Sequence, residues 1–478
     1  MVGSDISPHS FFVWGALGII GGTAVSGLGA TTIQVLGVIL VMCVVSRTYA
    51  YAPLVVVFGV CMVIGSAYYL FDDYTYYHTQ SSLRSKTAFD GRVLAPPVVR
   101  NDRQSFFVGL ADSKGKILIN TSVYPAVSYG DRILIEGSVR VPLDGSYARY
   151  LKKEHVHGTI SWPKMNVIEP GGNMMLRALF FVREYAVDVL GTHVTYEQSA
   201  FISGILFGDR SSFTDEFIEK LSTSGTMHLT ALSGLHMSII VFALFAICTV
   251  VLPGRKGKQI AVAFTIVALF VAMTGFKVSA MRAALMAFLV NLASFGGRTY
   301  DALTAIILAA LILVIVNPMS VVYDLGFQLS FAAVLSIVYF SPVIQRFPFF
   351  STPGFLGWRS VLAITLAAQV GVFPITIYQF ANFSFSALPA NIAILLIMPI
   401  LMGLGALTIL FGTLSAWLGA LVAMPTAFLT DYALTIIDIF SQVRIPFNPH
   451  MGFLGSIVYY ALLVWICVRN ILWQRNNI

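Results

Sequence analysis

Apolar runs of about twenty residues, each closed by a charge or a turn residue, recur along this chain and restrict it to one kind of fold. A run of that length spans the hydrocarbon core of a bilayer as a helix. Lipid offers the backbone no water, so a spanning chain must bond to itself as a helix or a closed barrel. Three runs lie near the N-terminus, at residues 11–27, 32–45 and 53–70. Seven follow at 229–252, 259–274, 278–295, 302–316, 321–340, 360–378 and 389–410, and two more at 424–440 and 452–471. The composition agrees: 57% of residues are hydrophobic and 11% charged, against ~25% charged in soluble domains. The runs predict an all-α polytopic membrane protein with about twelve transmembrane helices. The first run leads straight into another, and residues 1–10 hold Asp5 but no Lys or Arg. It therefore reads as a retained helix rather than a signal peptide.

Basic residues in short loops favour the cytoplasm. Arg47, then Arg255, Lys256 and Lys258, then Arg298, Arg346 and Arg359, and finally Arg469 and Arg475 alternate with the runs so that both termini lie inside. Arg444 falls on the other side of this scheme. The scheme puts the polar insertion at residues 71–172 outside. There, short alternating stretches near 85–94, 104–111, 116–121, 132–141 and 157–168 predict five strands. A hairpin turn at 112–115 joins two of them, and a short helical stretch, YARYLKKEHVHG, precedes the last. That is the make-up of an OB-like β-barrel, a fold much used for single-stranded nucleic acid. The insertion carries thirteen Lys/Arg and ten Asp/Glu, a net +3 that suits phosphate contacts. Lys114, Lys116, Lys152 and Lys153 are the candidates for DNA binding in this outer domain. Phe106, Phe107, Tyr129, Tyr150 and Trp162 either stack bases or fill the barrel core. The chain thus divides into N-terminal membrane helices (1–70), the outer domain (71–172), interfacial or re-entrant helices (173–225) and a second membrane array (226–478).

The second array opens on TSGTMHLTALSGLHMSIIV, residues 223–241, where His228, Ser233, Gly234 and His236 interrupt an apolar run. Polar groups at membrane depth are costly and usually face a bundle interior or a wet path. Eight residues separate the two histidines, roughly 80° around a helix, so they share a broad face at best. Ser233-Gly234 between them can loosen the helix, as broken helices do at transport sites. Each histidine alone also fits a hydrogen-bonded structural role. Lys277 and Arg282 flank the start of the next span but one, where a cation can attract phosphate or snorkel to the interface. Asp324, Gln328, Gln369 and Asn391 put polar groups on three later runs, enough to line one cavity or to bond helix to helix. No Walker-type phosphate loop is present, and neither the four cysteines nor the histidines form a zinc spacing. No cofactor is expected.

Several of these segments resemble the ComEC competence family. They are LFGDR at Leu206 to Arg210, the G-x-x-HL-x-A-x-SGLH-x-S pattern, VSAMRAALMA from Val278, DLGFQLSFAAVL from Asp324, AAQVGVFPITIYQF from Ala367, and LPANI from Leu388. They stand in the family's order and approximate spacing. The resemblance implies an inner-membrane channel, not an enzyme, that imports single-stranded transforming DNA during natural competence. It implies an OB-like domain at 71–172, and as partners a periplasmic DNA receptor, a cytoplasmic helicase or ATPase and a separate nuclease. Only residues 473–478 follow the last run, so the reading is a short form without the C-terminal metallo-β-lactamase-like domain of many relatives. The pathway candidates it suggests are Gly208, Asp209, Arg210, His228, Ser233, Gly234, His236, Lys277, Arg282, Asp324, Gln328, Gln369 and Asn391. Two other classes stay open: a membrane-embedded serine hydrolase using Ser233 and His236, and a secondary transporter of a small solute.

Overall fold

A computed structural model describes residues 8–29, 34, 52–113, 115–142, 145–232, 234–295, 301–350, 352, 357–380, 386–443 and 452–476. The expected run at 32–45, Cys43, Lys114 and Ser233 lie outside the described residues, apart from position 34. The chain divides into two compact units, Met1–Phe180 with Gly297–Phe327, and Phe181–Gly296 with Gln328–Ile478.

Among the described residues, seven helices are long and apolar enough to cross a membrane. They are Pro8–Gly27, Pro53–Arg84, Gly234–Val251, Lys256–Met273, Leu325–Ile344, Trp358–Gln379 and Ala416–Gln442. An eighth arises if Ala387–Leu395 and Met398–Leu414, bent by 53° at their junction, form one span. Three further apolar helices, Val278–Leu289, Ala302–Val316 and Leu454–Arg469, are shorter. The described residues thus do not confirm the expected twelve, and the run at 32–45 lies outside them. Only 22% to 33% of each apolar window is buried inside the protein. Phe242, Val250, Trp417 and Phe428 face outward with the rest, a surface that suits lipid rather than water. The chain is a polytopic membrane protein.

In the first unit, helices Pro8–Gly27 and Ala52–Arg84 pack closely, and the second runs on into a seven-stranded open sheet. The strands are β1 (Ala88–Val93), β2 (Val98–Arg100), β3 (Arg103–Leu110), β4 (Lys116–Ser122), β5 (Arg132–Glu136), β6 (Gly158–Ser161) and β7 (Lys164–Glu169). Their order is β6-β4-β3-β1-β5-β7, with β2 on β3. β4 and β6 run parallel, and the helix Ser146–Lys153 lies in the connection between β5 and β6. Alternation drives the burial: Gln104, Phe106 and Val108 of β3 point inward, as do Ile117 and Ile119 of β4 and Ile133 and Ile135 of β5. Leu83, from the end of the long helix, closes this core. Two strands exceed the expected five. β2 is a short hairpin arm, and the expected strand at 157–168 splits into β6 and β7 because Trp162 adopts a positive φ of 55°.

The second unit is helical. Its helix Tyr196–Phe207, expected to be re-entrant or interfacial, packs Phe201, Ile202, Ile205 and Leu206 among Phe213, Phe217, Leu401 and Ile437. The helix starts on a capping box, Thr195 with Gln198, and stops at Gly208 in the left-handed conformation, φ +64°. The helix Asp215–Thr223 starts on Thr214, whose hydroxyl accepts from the Phe217 N–H at 3.2 Å. The helices Gly234–Val251, Lys256–Met273 and Val278–Phe295 close on one another through Met237, Val241, Val267, Val271 and Ala280.

Candidate functional site

Around the second unit's opening motif, the chain departs from regular helix. Met227–Thr230 is a single 3-10 turn, Ala231 is extended, and the spanning helix begins only at Gly234, five residues after the start of its apolar run. His228 lies on the 3-10 turn and is exposed; His236 lies two residues into the helix and is buried. The two are within electrostatic reach of each other. Ser233 lies outside the described residues, so a Ser233–His236 pair has no described geometry.

The segment after Phe207 holds this turn in place. The Arg210 guanidinium donates from Nη2 to the Met227 carbonyl at 2.9 Å and from Nε to that of Thr230 at 3.4 Å. Lys277, between two membrane helices, donates from Nζ to the Gly208 carbonyl. Asp209 accepts from the Ser211 N–H at 3.0 Å. Burial disfavours its charge, but the Ser211 bonds and the cations Arg183 and Lys277 outweigh it and hold the carboxyl below its usual range. Lys277 is pushed down to about 8, chiefly by burial; Asp209 opposes that shift, while Arg183 and Arg210 add to it. Arg183 and Lys277 thus lie within electrostatic reach of Asp209, and Arg210 within reach of Lys277, next to the irregular turn before Gly234. A Cβ on Gly208 would stand 3.1 Å from both Leu232 Cγ and Lys277 Nζ, so glycine permits the turn and the approach together. Gly234 needs no such allowance, since a Cβ there meets nothing within 4 Å.

The remaining expected residues lie apart from these contacts. Arg282 is buried in the helix Val278–Phe295. Gln328 and Gln369 are half-buried on Leu325–Ile344 and Trp358–Phe380. Asn391 is buried just before the 53° bend, and its Oδ1 has no hydrogen-bond partner. Asp324 belongs to the first unit, where Lys153 reaches its Oδ1 at 3.4 Å and the Gly326 N–H donates to it at 2.8 Å.

That pair is part of a clamp at the foot of the sheet. Lys152 Nζ lies 2.6 Å from Asp73 and donates to the hydroxyls of Tyr77 and Tyr323, each at 3.2 Å. Burial disfavours the Lys152 charge, yet these partners raise its pKa overall. His155 Nε2 lies 3.0 Å from Asp72, and Asn317 donates to the Lys153 carbonyl at 2.9 Å. Lys116 lies across the Phe107 ring and donates to the Glu154 carbonyl at 3.1 Å. Burial lowers the Lys116 pKa. The three described lysines expected to meet DNA are thus engaged inside the protein. Arg183 and the clamp's partners on 72–73 and 317–324 were not foreseen, because nothing local in the sequence connects positions so far apart.

A family model described as Competence protein matches residues 205–473, more than half of the chain. The chain belongs to the Competence protein family. The match takes in Asp209, Arg210, Lys277 and the irregular turn before Gly234, while Arg183 lies upstream of it. Among curated relatives, ComE operon protein 3 of Bacillus subtilis (strain 168) is 28% identical over 343 residues, covering 69% of this chain and 42% of the relative. The uncharacterized protein YcaI of Escherichia coli (strain K12) is 26% identical over 260 residues, 52% of this chain and 33% of the relative. This chain therefore spans less than half the length of either. No solved structure matches this Competence-family chain.

Proposed function

We propose that this protein conducts single-stranded DNA inward across the bacterial cytoplasmic membrane during natural competence, with its sheet domain outside and both termini inside. The observation that supports the reading is Asp209, Arg210 and Lys277, inside the family-matched region, gathered with Arg183 beside the irregular turn that precedes a membrane helix. Half-buried cations that face backbone carbonyls, as Arg210 and Lys277 do, suit an outside anion, and a phosphodiester backbone supplies one per nucleotide. Broken helices at membrane depth present backbone groups to a cargo in just this way. The sheet fits the same reading. Its antiparallel core with one parallel pair, β4 with β6, and a helix before β6 is compatible with an open OB barrel. DNA would be handed over by an outer receptor and drawn in by a cytoplasmic ATPase, with a separate nuclease disposing of the second strand. The test is the full chain in liposomes, presented with a fluorescent single-stranded oligonucleotide, the matching duplex and a labelled sugar. Protected single-stranded oligonucleotide, with duplex and sugar left outside, is expected. Entry of the sugar instead would favour a small-solute transporter.

A further inference from the structure

The far end of the sheet differs from its clamped foot. β4 runs from Lys116, beside the clamp, to Ser122, a distance of ~20 Å for a strand of that length. At that far end the first residue of β3, Arg103, pairs with Ser122 across the sheet and with Arg100 across the β2–β3 hairpin. Trp162, just past β6, is tied there by its N–H to the Asn120 carbonyl at 2.8 Å. The Arg103 guanidinium lies 5.6 Å from the centre of the indole, yet 60% of Trp162 remains exposed. Tyr124 is 81% exposed on the neighbouring loop. That loop is fixed by the buried Gln104, which donates to the carbonyls of Val123 and Pro125 at 3.2 and 2.7 Å. Of the five aromatics that the sequence offered as stackers, Phe106 is in the core, Phe107 lies under Lys116, and Tyr129 packs on Phe180. Tyr150 lies beside Tyr147 on the helix Ser146–Lys153. Trp162 alone of the five stands beside an exposed arginine at the unclamped end.

We propose that Trp162, with Tyr124, Arg103 and Arg100, forms a stacking site for single-stranded nucleic acid on the end of the sheet away from the membrane helix. The assignment rests on the DNA-import reading and sharpens it. An open aromatic face takes any unpaired base, and adjacent guanidinium groups take the phosphates on either side. A duplex keeps its bases stacked on each other and offers no face to Trp162, so the site discriminates strandedness rather than sequence.

The experiment uses the full chain in lipid nanodiscs and a fluorescein-labelled oligothymidylate, read by anisotropy at several salt concentrations. Trp162→Ala is expected to weaken binding roughly tenfold, and Trp162→Phe to restore most of it. Arg103→Gln should lower the slope of log affinity against log salt by about one. Lys116→Gln, at the clamped end, should leave that slope unchanged. Wild-type affinity in Trp162→Ala, or equal affinity for duplex and single strand, overturns the stacking site. Import by the liposome assay separates the two failures. If import persists while Trp162→Ala binds normally, only the stacking site falls. If wild-type protein neither binds the oligonucleotide nor imports it, the DNA reading falls and the stacking site with it.

Discussion

The foot of the sheet and the Asp209 cluster both bury basic side chains, but they balance them differently. At the foot, each lysine meets its own carboxylate, Lys152 with Asp73, Lys153 with Asp324 and Lys116 with Glu154, and His155 bonds to Asp72. In the cluster, Lys277 donates to the Gly208 carbonyl and Arg210 to those of Met227 and Thr230, so uncharged backbone oxygens face two of the cations beside Asp209. Desolvating a charge without a counter-charge is unfavourable by several kcal/mol, on the order of what one buried pair recovers. A balanced set can therefore serve architecture alone. A set whose cations face uncharged backbone oxygens keeps room for a visiting negative charge.

The sharpest test of this contrast removes one cation from each region. Lys277→Met should reduce import of single-stranded DNA by roughly 30-fold or more, while the protein still inserts and accumulates. Lys277→Arg should keep most of the import. Because burial holds Lys277 at about 8, its charge fades between about pH 7 and 9. Import into liposomes should therefore fall across that range in the wild type and stay flat in Lys277→Arg. A Lys277→Met protein that imports normally would make the cluster a mere brace for the 3-10 turn.

Lys152→Met is the matching change in the clamp, and its expected effect lies in stability. Loss of a partly buried ion pair with two added hydroxyl bonds should destabilise the first unit by about 2 kcal/mol, less than a fully buried pair because both groups keep some solvent. Thermal unfolding of the detergent-solubilised protein reads this directly, and Asp73→Asn in the same background should add little further loss. Oligonucleotide binding should not change. If binding falls while the unfolding temperature holds, the clamp lysines contact DNA after all, and the contrast between the regions disappears.

How much of this was readable in the sequence depended on range. Period-two burial in 104–108 and 132–136 marked β3 and β5, and Thr214 marked a helix start, because each signal lies within a few residues of its effect. Apolar length marked the spans, though not their ends: the helix expected from residue 229 starts at Gly234. The helix Tyr196–Phe207 looked re-entrant or interfacial because twelve residues are too few to span; that it is buried follows from Leu401, Met402 and Ile437, two hundred residues further on. The lysines at 116, 152 and 153 read as a free basic face for the same reason. Their carboxylates sit at 73 and 324, or on the neighbouring Glu154, and charge counting cannot tell a paired lysine from an open one. Of the residues singled out near the membrane, Gly208, Asp209, Arg210, His228, His236 and Lys277 fall close together. Arg183 joins them from a helix whose alternating charges suit either an interfacial helix or one docked on the protein.

The smallest effects should come from two glycines that the sequence treats alike. Gly208 holds φ +64° with Leu232 and Lys277 at contact distance, so Gly208→Ala adds both backbone strain of ~1–2 kcal/mol and a displaced Lys277 ammonium. Gly234 begins a helix and faces open space, so Gly234→Ala meets no atom and trades glycine for a better helix former. Import should therefore drop severalfold in Gly208→Ala and change by less than about twofold in Gly234→Ala, at equal protein levels. The comparison turns on position relative to the cluster. Gly208 lends its carbonyl to Lys277 and sets where the ammonium points, whereas Gly234 only starts the helix that follows. Equal losses in the two variants would mean that the break before Gly234, rather than the charge cluster, limits passage.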